Sequence, residues 1–252
     1  MKFKATVAYN GSGFHGFAIN RDVLTVAGEI EKALERIVGE HVTTACAGRT
    51  DKGVHGRGQV ISFTLPDSAD IELYRLQKSI NGLCKPHIVI RDLEVVDDDF
   101  DARFSAEWRR YRYQVLNAPT PDPLRADTTW HVWDSLDLEV MNQAAQQLLG
   151  EHDFTSFCKR VKVADGEPEK SMTRKVLSAQ WQRGDDDIIE FWVQATAFCH
   201  QMVRSFVGTL IDIGSGKIEA DAIPAILAAQ DRTAAGQVAP PQGLTFWEVS
   251  YR

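Results

Sequence analysis

Apolar and polar positions alternate over residues 3–9: Phe3, Ala5, Val7 and Tyr9 fall on one face, and Lys4, Thr6 and Ala8 on the other. A period of two predicts a half-buried strand. After the turn Gly11-Ser12-Gly13 the period lengthens. Val26, Ile30, Ala33, Leu34 and Ile37 recur at helical spacing over residues 26–38, with Thr25 placed to cap the start and Gly39 the end. Strands are predicted over 42–47 and 59–65, with a Gly-rich polar loop between them. A helix over 70–80 follows a cap at Asp67 or Ser68, and a strand over 87–96 closes this half.

The second half echoes the order. A strand over 108–117 precedes an amphipathic helix over 137–149, where Leu138, Met141, Ala145, Leu148 and Leu149 share a side and Gly150 ends it. Strands over 173–182 and 188–197 are joined by a turn at Gly184-Asp185-Asp186. An apolar helix over 199–213, a short helix over 222–229 and a strand over 244–251 complete the pattern. Each half therefore reads roughly β-α-β-β-α-β, without a sequence repeat of fixed period. The predicted class is α+β: two similar α/β halves with mostly antiparallel sheets. Their boundary is placed near residues 97–106, giving halves 1–100 and 101–252.

Composition narrows the picture. Over 252 residues, 44% apolar and 25% charged excludes global disorder. No stretch approaches the 18 or so uncharged apolar residues of a membrane span. The start, Met1-Lys2-Phe3-Lys4-Ala5-Thr6, lacks the apolar core of a signal peptide, so a cytoplasmic protein is expected. The 28 basic and 35 acidic residues leave a net charge of −7. That disfavours diffuse binding to nucleic acid but leaves room for a local basic groove. Cys46, Cys84, Cys158 and Cys199 form no C-x-x-C pair, so they are expected to be reduced thiols and no metal site is expected.

The most unusual stretch runs Ala47-Gly48-Arg49-Thr50-Asp51-Lys52-Gly53-Val54-His55-Gly56-Arg57-Gly58. A carboxylate among cations stays ionised, which suits a nucleophile or base and not a general acid. The plainer alternative is a solvated turn in which Asp51 pairs with Arg49. The strand Arg109-Arg110-Tyr111-Arg112-Tyr113 puts Arg109, Tyr111 and Tyr113 on one face and Arg110 and Arg112 on the other. Arginine and tyrosine on one face can hold phosphates and stack on a base; an exposed strand of good β-formers reads the same way. Arg204 interrupts the apolar helix and needs a buried partner there, for which Asp51 is a candidate; the alternatives are a partner elsewhere or a head that snorkels to water. His200 reads more simply as a structural histidine than as a ligand. Residues 158–175 hold six basic and three acidic residues in a predicted long loop.

In order along the chain, several blocks resemble the tRNA pseudouridine synthase A family. They are the run from Ala47 to His55, Asp98-Asp99-Phe100-Asp101-Ala102-Arg103-Phe104-Ser105-Ala106, Arg110-Tyr111-Arg112-Tyr113, Leu148-Leu149-Gly150-Glu151-His152-Asp153-Phe154-Thr155-Ser156-Phe157, Met202-Val203-Arg204 and Gly243-Leu244. The family often carries Gly-Trp-Gln where this chain has Gly16-Phe17-Ala18. The resemblance implies the pseudouridine synthase fold with a central RNA-binding cleft. It implies Asp51 as the catalytic aspartate, Arg49 as an aid to base flipping, Tyr111 as the tyrosine stacked on the base, Arg204 as the partner of the aspartate and Arg103 as a tRNA contact. It further implies isomerisation of uridine at positions 38, 39 and 40 of the tRNA anticodon arm, by a homodimer, without a cofactor. A catalytically silent RNA-binding module of the same fold is the alternative; an Asp-nucleophile hydrolase would want a second carboxylate that the loop lacks.

Overall fold

In a computed structural model describing residues 1–66, 72–160 and 171–251, the alternating segment at the start of the chain is strand β1 (Lys2–Tyr9). Phe3, Ala5, Val7 and Tyr9 are buried, as the alternation requires. Helix α1 (Val26–Val38) follows. The Thr25 hydroxyl accepts from the Gly28 N–H at 3.2 Å, and Gly39 ends the helix in the left-handed conformation. Then come β2 (Thr44–Cys46), β3 (His55–Thr64), α2 (Leu73–Cys84) and β4 (Ile88–Val96). The caps expected at Asp67 or Ser68 lie outside the described residues. β1 pairs antiparallel with β3 on one side and β4 on the other, and β2 adds antiparallel to the far end of β3. Ile30 and Leu34 of α1, with Leu76 and Ile80 of α2, pack with the inward side chains of β1 into one core.

Strand β5 (Ala106–Leu116) carries the chain onward. Its pattern matches the expected faces: Arg109, Tyr111 and Tyr113 are buried, while Arg110 and Arg112 are half-buried. β6 (Trp130–His131) lies parallel to the end of β5. Helix α3 (Leu138–Gln146) starts on Asp137, whose carboxylate accepts the N–H groups of Glu139 and Val140. It ends before Gly150, which at φ +100° opens a strand not expected from the sequence, β7 (Gly150–Asp153). β7 pairs antiparallel with β8 (Thr173–Arg183), and β8 with β9 (Ile188–Ala195). Asp186 and Asp187 take positive φ in the hairpin between β8 and β9. Helix α4 (Met202–Gly214) is buried almost throughout, and α5 (Ile223–Ala229) follows. Phe154 and Phe157 pack on Phe206 of α4, with ring centroids 5.4 and 5.0 Å away. The block 148–157 thus serves this core.

The last strand, β10 (Leu244–Tyr251), pairs parallel with β3 through Thr245–His55 and Phe246–Gly56. The Tyr251 hydroxyl donates to the Ala102 carbonyl at 2.7 Å. Two compact units result. One is Met1–Arg109 with Thr245–Arg252, and the other is Arg110–Leu244. The expected halves, 1–100 and 101–252, differ from these because the chain begins β5 inside the first unit and returns to it at the end. The strands are mostly antiparallel, with parallel pairs at β3/β10 and β5/β6, so the class is α+β. Among the described residues no helix is long and apolar enough to cross a membrane.

Candidate active site

In the first unit, the connection from β2 to β3 carries Asp51. Glycine opens it and a turn closes it. The Val54 N–H donates to the Asp51 carbonyl at 3.1 Å, and Gly53 takes the left-handed third position at φ +80°. The segment between is fixed by buried groups. Gln59, fully buried, accepts the Gly48 N–H at 3.3 Å and donates to the Gly48 carbonyl at 2.6 Å. The Thr50 hydroxyl meets the Tyr9 hydroxyl at 2.8 Å, and the Thr50 carbonyl accepts the Phe17 N–H at 3.0 Å. His55 Nδ1 accepts the Gly11 N–H at 3.0 Å. Phe17, within the Gly16-Phe17-Ala18 tip, is itself buried. Its ring packs in the core while its backbone steadies the Asp51 loop.

Side chains at the ends of this segment point outward. Arg49 is exposed and Asp51 half-buried. Arg103 is also exposed, with its guanidinium 5.2 Å from the ring of the exposed Phe104. Both Arg49 and Arg103 act on the Cys46 thiol. Burial pushes that thiol up to about 11, and the two guanidinium groups oppose the rise. Two arginines from distant sequence positions thus belong to one charged neighbourhood beside the Asp51 loop. Arg57, exposed, lies over the Trp247 ring at 4.3 Å.

Arg109, on the strand face where arginine and tyrosine could hold phosphates, is not placed to do so. It is buried, and its guanidinium donates to the carbonyls of Ala47, Arg103 and Ala106. A strand residue on the inward face has no route to water, so its charge is spent on backbone carbonyls. It ties the start of the Asp51 loop to the Arg103 turn.

In the second unit, Tyr111 is buried and stands edge-on to Phe198, with centroids 5.0 Å apart. The Tyr113 hydroxyl donates to the Pro240 carbonyl at 2.7 Å. Burial raises the Tyr113 pKa, and the positive charge of Arg204 opposes the rise. Arg204 lies in the first turn of α4. Its Nε donates to the Ala239 carbonyl at 2.7 Å, and its own carbonyl accepts the Ala239 N–H at 3.0 Å. Arg110 donates to Gln194 and Arg112 to Glu190. Lys159 and Arg160 are exposed; the rest of the cluster at 159–162 lies outside the described residues.

The structure therefore gathers Arg49, Asp51 and Arg103 in one unit, and Tyr111 and Arg204 in the other. Tyr9, Gln59 and Arg109, which hold the loop, were not singled out for that task from the sequence. The signal was present: a tyrosine and a glutamine on inward-facing strand positions need hydrogen-bond partners. Chemically, the arrangement offers one carboxylate on a rigid loop with cations beside it, fit for attack on an electrophilic carbon or for proton removal. Among the described residues no group of three or more His, Cys, Asp or Glu side chains is placed to hold a metal ion.

Comparison with known proteins agrees with the blocks noted above. A family model described as tRNA pseudouridine synthase matches residues 144–252. The chain is 42% identical to tRNA pseudouridine synthase A of Brevibacillus brevis over 99% of both chains. It is 39% identical to the protein of that name from Myxococcus xanthus, over 100% of this chain and 92% of the other. The same identity, 39%, holds over 99% of both chains for the protein of that name from Listeria monocytogenes.

Proposed function

The chain belongs to the tRNA pseudouridine synthase A family, a family of isomerases, and from that premise we propose that it converts uridine to pseudouridine at positions 38, 39 and 40 of the tRNA anticodon arm, with Asp51 as the catalytic carboxylate. The observation that carries the assignment is the Asp51 loop: a half-buried carboxylate on a backbone pinned at Gly48 and Thr50, beside the exposed Arg49.

The chemistry asks for little more. The N1–C1′ bond of uridine breaks, the uracil turns, and C5 bonds to C1′; C5 gives up a proton and N1 ends with one, so the composition is unchanged. No electron donor or group donor enters. An ionised carboxylate serves either route, by adding to C1′ or by taking a proton from the sugar. The uridine must first leave its stack, which costs a few kcal/mol. In this reading Arg49 assists that flip, Tyr111 stacks on the uracil, Arg204 serves the reaction as a cation, and Arg103 with Phe104 grips tRNA. The family resemblance also supports a homodimer working in the cytoplasm.

The test uses an unmodified tRNA transcript and a site-resolved pseudouridine assay. The unaltered protein should modify positions 38–40. Asp51→Asn keeps size and shape but loses the charge, so turnover should fall by about 1,000-fold or more while tRNA affinity stays within about threefold, because phosphate contacts supply most of the binding. Pseudouridine formed by Asp51→Asn at near the wild-type rate would end the catalytic assignment. Modification at other positions alone would end the anticodon-arm assignment.

A further inference from the structure

We propose that Tyr9 and Gln59 are positioning residues of the reaction, holding the backbone on both sides of Arg49 so that Asp51 is presented in its reacting geometry. The inference rests on the reading of Asp51 as the catalytic carboxylate.

The observation is a short buried relay that ends on the loop. Gln59 has no exposed surface, and its side-chain amide is engaged at both ends by Gly48. The Tyr9 hydroxyl pairs with Thr50 Oγ1 at 2.8 Å, and the Gln59 side chain acts on the same phenol, opposing the rise in its pKa that burial causes. Burial raises the Tyr9 pKa far above the ordinary phenol range, so the hydroxyl keeps that proton through the working range of pH. Gly48 and Thr50 are the immediate neighbours of Arg49, and Thr50 precedes Asp51. The relay therefore fixes the main chain on either side of one functional side chain and directly before the other.

Division of labour within Tyr9 separates this task from packing. Its ring lies in the core, 5.8 Å from Phe17, and its hydroxyl reaches the loop. Removing the hydroxyl leaves the ring and the core in place and cuts the tie to Thr50. Reaction rates respond steeply to such ties, because a displacement of about 1 Å at the reacting atoms costs on the order of a hundredfold. Binding of tRNA, spread over many phosphate contacts, responds weakly.

The experiment compares Tyr9→Phe, Thr50→Val, the double variant and Thr50→Ser. Single-turnover pseudouridine formation is measured at saturating tRNA, beside a tRNA titration and amide hydrogen exchange. Tyr9→Phe and Thr50→Val should each slow the isomerisation by about tenfold or more with tRNA affinity within about twofold. Exchange should quicken in residues 48–54 and not in β1. The double variant should be no slower than the slower single one, since both remove the same bond. Thr50→Ser keeps the hydroxyl and should restore most of the rate. A Tyr9→Phe protein at full rate, or losses that multiply in the double variant, would overturn the positioning role alone. An unaltered protein that makes no pseudouridine would overturn it together with the functional reading.

Discussion

Among single residues, the thiols show how far surroundings drive like groups apart. The backbone bond from the Lys159 N–H to the His200 carbonyl, 2.9 Å, brings Cys158 beside Cys199. The buried Cys158 thiol donates to Cys199. That bond raises the pKa of Cys158 and, as its largest cause, lowers that of Cys199. Cys46, by contrast, is pushed up to about 11 by burial. The thiolate is the reactive form. Brief treatment with iodoacetamide at pH 8 should therefore label Cys199 well ahead of Cys46, read by mass spectrometry of the peptides. Raising the pH should bring Cys199 labelling to its plateau first, while Cys46 labelling still climbs about tenfold per pH unit toward its own value. Equal labelling at pH 8 would contradict this. Legibility at this scale was uneven. Asp51 and Arg49 stood out because charge clusters in a glycine-rich loop are rare in a chain. Arg109 did not, because an inward guanidinium that serves three carbonyls has the same letter as one that grips phosphate.

Secondary-structure elements were easiest to read where periodicity spoke, as in β1 and α1, and hardest where glycine did. The run 48–58 reads as one loop, yet β3 already begins at His55. Gly56 and Gly58 are strand residues: a side chain at Gly56 would strike the Tyr9 ring at 2.3 Å, and one at Gly58 the Trp247 carbonyl at 2.4 Å. Glycine there answers tight packing and not a turn. The same distinction gives a paired prediction for two helices. Gly82 in α2 has nothing within 4 Å of an added Cβ, so Gly82→Ala should stabilise the protein by about 0.5–1 kcal/mol through helix propensity. Gly208 in α4 would place that carbon 1.8 Å from the Gln237 carbonyl oxygen. Gly208→Ala should cost about 3 kcal/mol or more, since backbone must move. Thermal unfolding of both variants checks the signs; a destabilised Gly82→Ala or a neutral Gly208→Ala would refute the packing account.

Across the whole molecule, a net charge of −7 has to coexist with an RNA substrate. Arg49, Arg57 and Arg103 of the first unit, and Lys159 and Arg160 of the second, are exposed cations that the proposed grip on phosphates would use. Four phosphate contacts would make tRNA affinity fall by about a hundredfold between about 50 and 200 mM salt. A titration across that range checks this, and light scattering on the same sample should give twice the chain mass. Affinity indifferent to salt, or a fully active single chain, would count against the proposed grip and the proposed pairing respectively. The return of β10 to the first unit has a consequence during synthesis. The ribosome makes β1 to β4 and the Asp51 loop first, then residues 110–244, and only then the strand that pairs with His55 and Gly56 beside that loop. At about 5–20 residues per second, the nascent loop waits on the order of ten seconds for its neighbouring strand. A chain whose translation aborts inside the second unit carries every residue of the Asp51 loop and lacks the strand that borders it. Commitment to a finished site therefore comes at the end of translation, and truncated products are left with an open edge on β3 that invites pairing with another chain.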